Sequence, residues 1–306
     1  MAEGEFAYVD WLRRRTPNDP RVVIGPGDDA AVLAPTARSL VVSTDMLLEG
    51  SCFVLAEAGP RRVGRKALAV NLSDLAAMAA RPLGCVVSAG LPRKGGQALA
   101  RELYDGLREI ADEFGVAVVG GDTNSWNGPL VLSVTILGEA TPRGVVQRSG
   151  AQPGDWLFVT GPLGGSILGK HLDFTPRVRE ALALHHTVDL RAMIDISDGL
   201  AADLGHLCDE SGCGAVLHAN AIPIADDAQR IIDSRSPLTH ALEDGEDFEL
   251  LFAVSPSDGE RLAREQPIAG ITLAHVGECV EGRGLWLEEA GRHIPLEPRG
   301  YVHALD

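Results

Sequence analysis

No two of the five cysteines, Cys52, Cys85, Cys208, Cys213 and Cys279, form a CxxC pair, and their number is odd. A disulfide framework and a zinc site are therefore disfavoured, and unpaired core thiols in a reducing compartment are expected. Long apolar runs are also missing, since nothing approaches the ~18 consecutive apolar residues of a membrane span. The opening MAEGEFAYVDWLRRR sets acids ahead of its basic cluster and lacks the apolar core of a signal peptide. A cytoplasmic protein is the expectation. Positive charge is scarce: 27 Lys and Arg face 43 Asp and Glu, a formal net charge of −16. Nucleic acid and anionic membranes are recognised by basic faces that release counterions, so neither is expected as a partner. An anionic substrate would need its charge neutralised locally.

What is present suits a folded chain: 45% hydrophobic and 23% charged residues in a length of 306 leave room for two ordinary domains. Short β-branched runs at 39–44, 83–91, 116–119 and 130–138, bounded by Gly, Pro or Asp, read as strands. Helices are expected over 60–80 and 96–114; in the second, Leu99, Leu103, Leu107, Ile110 and Phe114 form one apolar stripe. The Gly/Pro turn cluster RSGAQPGD marks a boundary, giving domains 1 to about 140 and 150–306. The second half repeats the mixture, with strands at 156–160, 192–196, 214–218 and 248–254 and helices near 177–189, 199–211 and 257–265.

Acids follow several strand runs: Asp45 after LVVST, Asp122 after VAVVGG, and Asp195 and Asp198 in AMIDISDG. Ligands in open α/β sheets collect beyond the carboxyl ends of strands, so such acids can share a cleft. Asp28 and Asp29 in IGPGDDAAV join them, as does Asp74, a lone carboxylate inside an apolar helix. Asp is also a common N-cap and turn former, which is the plainer reading of Asp28 and Asp198. Asp74 has no turn signal beside it, and burying an unpaired charge is costly. Carboxylates without His or Cys suit Mg²⁺, and five or six of them suggest several ions arriving with a polyphosphate.

Glycine clusters at 25–27, 120–121 and 161–165 are candidates for a phosphate cradle. Gly164–Lys170 (GGSILGK) follows a strand at P-loop spacing, but His171 stands where Ser or Thr would hold Mg²⁺, which argues against a P-loop. Arg148 is either a phosphate fork or a surface ion pair. Glu246 and Asp247 contact substrate or solvate a turn.

In order along the chain, IGPGDDAAV, STDMLLEG, KALAVNLSDLAAMAA, GGDT, RSGAQPGDWLFVTG, IDISDGLAADLGHL and GEDFELLF resemble the thiamine-monophosphate kinase family. That family belongs to the aminoimidazole ribonucleotide synthetase superfamily. The resemblance implies an α/β fold of two domains, the first pairing with a second subunit across a β-barrel and the second an α/β sandwich. It implies transfer of the ATP γ-phosphate to thiamine monophosphate by a homodimer using several Mg²⁺ ions. Metal ligands would be Asp29, Ser43, Thr44, Asp45, Asp74, Asp122, Asp195 and Asp198, with Asp45, Asp122 and Asp195 central to catalysis. ATP contacts would be Tyr104, Gly121, Asp122, Arg148 and Ser197, and substrate contacts Cys52, Glu246 and Tyr301. Cys52 replaces the family's usual His, and the ending reads GYVHA in place of GYDHF. An ATP-binding paralogue with a different or lost acceptor is the alternative. A selenophosphate synthetase would carry a reactive Cys near the start, and a hydrogenase-maturation relative one at the end. Neither is present.

Overall fold

The β-branched runs are strands, and the stripe-bearing segments are helices, in a computed structural model that describes Leu12, Arg14, Arg15 and residues 19–24 and 31–301. Asp28, Asp29, Gly25 and Gly27 lie outside the described residues. The chain divides into two compact units, Met1–Leu75 with Ala80–Pro142, and Ala76–Ala79 with Arg143–Asp306.

In the first unit, β1 (Val22–Ile24) and β2 (Val32–Leu33) form a small antiparallel pair that the sequence reading did not anticipate. The main sheet is built from β3 (Leu40–Leu48), β4 (Arg81–Pro92), β5 (Ala117–Trp126) and β6 (Val131–Glu139), in the order β3-β6-β4-β5. Only β4 and β5 are parallel, and helix α2 (Gly96–Phe114) provides the crossover that parallel neighbours require. Helix α1 (Pro60–Ala77) is buried almost all round from Val63 onward, with Arg65 and Asp74 as half-buried exceptions. The α2 stripe holds, with Leu103, Leu107 and Ile110 buried, while Leu99 and Phe114 lie half-buried at its margins. Gly115 ends this helix in a left-handed cap whose N–H donates to the Ala111 carbonyl. Along β3, Val41, Ser43, Asp45 and Leu47 alternate with the more exposed Leu40, Val42, Thr44, Met46 and Leu48. This outer row is apolar at four of its five positions.

In the second unit a mixed sheet runs β13-β12-β9-β11-β7-β10-β8. Its strands are β7 (Trp156–Val159), β8 (Leu190–Asp195), β9 (Gly214–His218), β10 (Leu250–Val254), β11 (Ala274–Val280), β12 (Leu285–Glu289) and β13 (Arg292–Leu296). The central runs WLFV and LLFAV are apolar at every position because both faces are covered. Leu157, Val159, Leu251 and Ala253 join the core that takes in Leu204 and Leu207 of helix α4 (Leu200–Ser211). The opposite face stacks Phe158 on Phe252, ring centroids 5.6 Å apart. Helix α3 (Val178–Thr187) follows the expected span, and helix α6 (Pro256–Glu265) brings Gly259 against the Trp156 ring. Helix α5 (Pro237–Glu243) was missed, although Ser236 caps it and Pro237 opens it. Among the described residues no helix is long and apolar enough to cross a membrane.

Four cysteines are buried and unpaired, as expected, and Cys52 is partly exposed. Burial pushes the Cys85 thiol up to about 12, so it stays protonated and inert.

Helices α1 and α2 cross in backbone contact. A Cβ on Gly64 would stand 1.9 Å from the Leu103 carbonyl oxygen, and one on Gly106 would stand 1.8 Å from that of Arg61. Since neither backbone can yield without moving a whole helix, Gly64→Ala and Gly106→Ala should each destabilise the protein by about 3 kcal/mol, the upper range for overpacking. Urea unfolding checks this; a change within experimental error would show that the helices separate freely.

Candidate functional site

In the first unit the oxygen donors are arranged by the pleat of β3. Ser43 and Asp45 point to the helix-covered face, and the Ser43 hydroxyl donates to Oδ2 of Asp74 on α1. The lone carboxylate within the apolar helix thus has a partner on the strand, and Asp45 lies two residues along on the same face. Thr44 points the other way, its Oγ1 2.9 Å from that of Thr135 and 3.1 Å from the Val134 carbonyl. Register separates Asp122 from this group. Asp45 aligns with Val134, Val87 and Gly121, whereas Asp122 aligns with Ser88, Ser133 and Met46 on the outer face, where it is exposed.

The Gly120–Gly121 pair lies within a strand. The chain does not turn there but continues as β5 through a bulge beside Val119. Glycine is needed at 121 because a Cβ would stand 1.9 Å from the Val87 carbonyl oxygen of the parallel neighbour. Tyr104, expected at ATP, belongs to the buried face of α2. Cys52 turns its thiol back into its own loop, 3.5 Å from the Leu48 nitrogen, while its carbonyl accepts from Lys66 Nζ at 2.8 Å. Lys66 is fully buried on α1 and was missed, because a lysine within RRVGRK reads as surface charge.

In the second unit the ends of two antiparallel neighbours draw distant residues together. Asp195 closes β8, buried and opposite Leu250 of β10. Beyond it, the Ser197 carbonyl accepts from the Glu246 N–H at 2.7 Å and the Asp198 carbonyl from the Tyr301 N–H at 2.9 Å. Ser197, Asp198, Glu246 and Tyr301 thus belong to one hydrogen-bonded knot. Glycine is required at 300, where a Cβ would stand 2.4 Å from the Asp198 carbonyl oxygen. Asp203, which sequence reasoning passed over, fixes this turn through Oδ2, accepting from the N–H groups of Asp198 and Gly199 at 3.0 and 3.1 Å. Burial, with the Asp198 charge adding to it, pushes its carboxyl up to about 7. Arg148 is exposed, and its guanidinium forms no ion pair with any described residue. The surface ion pair considered for it is absent among the described residues.

The P-loop-like segment is accounted for differently. Gly164 and Gly165 are buried, and their N–H groups donate to Asp247 Oδ2 at 2.7 Å and Asp244 Oδ2 at 3.0 Å. Lys170 pairs with Glu249 at 3.0 Å and Asp247 at 3.5 Å, and His171 Nδ1 lies 2.8 Å from the Ser166 carbonyl oxygen. The loop therefore cradles carboxylates of its own chain. Asp247 is fully buried, so it does not solvate a turn.

Among the described residues no three His, Cys, Asp or Glu side chains gather into a ready metal site. Ser43, Asp45 and Asp74 nevertheless offer a hydroxyl and two carboxylates on neighbouring positions of one face. Hard oxygen donors in that number fit Mg²⁺, which takes one or two carboxylates and fills its shell with water and phosphate oxygens.

Residues 27–140 match the N-terminal domain of the AIR synthase related proteins and residues 152–288 match the C-terminal domain. The thiamine-monophosphate kinase of Rhodopirellula baltica is 40% identical, with 98% of this chain and 97% of that protein covered. The crystal structure of thiamine-monophosphate kinase from Stenotrophomonas maltophilia superposes with a TM-score of 0.82 at 34% identity, covering 94% of this chain and 98% of that one. A structure of AaThiL complexed with AMPPCP and TMP superposes with a TM-score of 0.77 at 27% identity, covering 98% and 97%. With two matched domains and near end-to-end likeness, the chain belongs to the thiamine-monophosphate kinase family of AIR synthase related proteins.

Proposed function

We propose that this chain transfers the γ-phosphate of ATP to thiamine monophosphate, giving thiamine diphosphate and ADP. The observation that carries the reading is the full-length likeness to thiamine-monophosphate kinases, one related structure being complexed with AMPPCP and TMP. Phosphoryl transfer needs in-line positioning and charge neutralisation rather than covalent participation by the protein. The acceptor is a phosphate oxygen, already ionised at neutral pH, so no residue has to remove a proton.

Ser43, Asp45 and Asp74 would hold Mg²⁺, and the family resemblance implies Asp29, Thr44, Asp122, Asp195 and Asp198 as further ligands. When bound, Mg²⁺ neutralises charge on the phosphate oxygens. Arg148, exposed and without an ion pair among the described residues, has the planar fork that binds phosphate through two hydrogen bonds. Ser197, Gly121 and Asp122 are assigned to ATP, and Cys52, Glu246 and Tyr301 to the acceptor. The backbone bonds joining Ser197 to Glu246 and Asp198 to Tyr301 support placing nucleotide and acceptor contacts side by side. A homodimer through the first unit is supported by the outer face of β3, where Val42 and Met46 are 61% and 60% exposed. A row of apolar side chains on an uncovered sheet face is the kind of surface a second copy buries.

Incubation with ATP, Mg²⁺ and thiamine monophosphate should yield thiamine diphosphate and ADP in equal amounts; ATP binding without product would favour a paralogue that has lost its acceptor. Asp74→Asn keeps size and removes charge, so turnover should fall by about a hundredfold or more, comparable to losing one electrostatic contact to the transition state. Its melting temperature should stay near that of the parent protein, and full activity across a magnesium titration would rule out a metal role. Light scattering should give twice the 32.3 kDa chain mass, and Met46→Asp should return it to the single-chain value.

A further inference from the structure

Two residues of the acidic segment, Glu246 and Phe248, hold left-handed backbone, with φ of 63° and 51°. Residues with a Cβ seldom adopt such angles unless their surroundings enforce them. On one side the enforcement is the pair of bonds from Glu246 N–H to the Ser197 carbonyl and from Phe248 N–H to that of Ile196, 2.7 and 2.8 Å. On the other side Arg235 and His240 hold Asp244, and residues 160–177 supply the anchors of Gly245 through Glu249 described next. Ser166 Oγ donates to the Gly245 carbonyl at 2.6 Å, and the Phe174 ring stacks on Phe248 with centroids 4.0 Å apart.

The strongest of these anchors is Glu249, buried to 1% exposure. Arg177 grips it with two parallel bonds, Nε to Oε2 at 2.7 Å and Nη2 to Oε1 at 2.8 Å. Thr160 Oγ1 adds a bond of 2.7 Å and Lys170 Nζ one of 3.0 Å. Burial would raise the Glu249 carboxyl, but Arg177 and Lys170 outweigh it and hold it below the usual carboxylate range. Gly161 leaves the carboxylate its space, since a Cβ there would come within 2.7 Å of it.

A buried pair of this kind adds little net stability over well-packed apolar residues, so its presence calls for another explanation. The segment it fixes offers one. We infer that Arg177, acting through Glu249, is a positioning residue that holds Glu246 in its strained conformation to meet a hydrogen-bond donor of the acceptor substrate. The inference rests on the kinase reading and on the acceptor role given there to Glu246. Lysine at 177 would keep the charge but lose the planar fork. Glu246 would then relax, and a contact made equally with substrate and transition state is lost from KM rather than from kcat.

Steady-state kinetics of the full chain test this with Arg177→Lys and Gly161→Ala, the second pressing on the same carboxylate without altering any charge. Leu262→Ala, a core truncation on α6, serves as the stability control. Both test variants should raise KM for thiamine monophosphate about tenfold, the weight of one hydrogen bond to a charged group, with KM for ATP unchanged. Leu262→Ala should lower the melting temperature and leave both KM values alone. Folded variants with an unchanged acceptor KM, or with both KM values raised together, would overturn the positioning role while the parent protein's activity stands. Should Arg177→Lys fail to fold, Gly161→Ala alone decides by the same criterion. No thiamine diphosphate from the parent protein would instead remove the kinase reading, and this inference with it.

Discussion

Two main-chain hydrogen bonds, from Glu246 and Phe248 to the carbonyls of Ser197 and Ile196, extend the β8–β10 pairing past the ends of both strands, and the arrangement of acids in the second unit depends on them. Antiparallel neighbours that stopped at Asp195 and Leu250 would let the segments beyond that end of the ladder diverge. Continuing the ladder instead draws AMIDISDG and EDGEDFE together, so that acids about 50 residues apart in sequence share one small volume. The concentration of negative charge that results is unfavourable by itself. Cations, N–H groups and glycines elsewhere in the unit are placed to compensate it.

Burial alone does not decide what becomes of these acids. Asp247 and Glu249 are both inaccessible and only two residues apart, yet Asp247 is pushed up to about 6 while Glu249 is held below its ordinary range. The difference is in their partners. Glu249 has the Arg177 fork, Lys170 and the Thr160 hydroxyl, whereas Asp247 has one N–H and a more distant Lys170, with the Glu249 charge against it. Desolvation is common to the two, and geometry of compensation separates them. The same logic explains Asp203, whose backbone N–H donors do not outweigh burial beside Asp198.

Most of the scaffold was legible because periodicity is a local signal. The stripe of α2 and the β-branched runs are read within a few residues, and the structure places them nearly where they were expected. The strand near 248–254 begins two residues late because Phe248 adopts a left-handed conformation that no pattern of apolar residues reveals. Asp74 was legible as an anomaly, a charge with no local reason to be in its helix. Lys66, Arg177 and Asp203 were not, since each is explained only by a partner that folding supplies, in the case of Arg177 a carboxylate 72 positions away. Glycine is ambiguous for a different reason. It is required both where a phosphate approaches the backbone and where another backbone does, and at Gly121, Gly164 and Gly165 the close neighbour is the protein itself.

That distinction bears on how so acidic a chain could handle a polyphosphate. A P-loop supplies backbone N–H groups and a lysine to the phosphates, whereas here the corresponding N–H groups and Lys170 are turned on Asp244, Asp247 and Glu249. Their positive potential is already consumed internally, in shaping the segment that carries Glu246. Phosphate charge then has to be met by other groups, and oxygen donors such as Ser43, Asp45 and Asp74 do so only through a divalent cation. An excess of carboxylates is therefore no obstacle to phosphoryl transfer in this fold. With Lys170 and Arg177 spent on positioning, the acids would, in the proposed reaction, be the means of recruiting mobile cations, and the affinity for nucleotide would be tied to the magnesium that accompanies it.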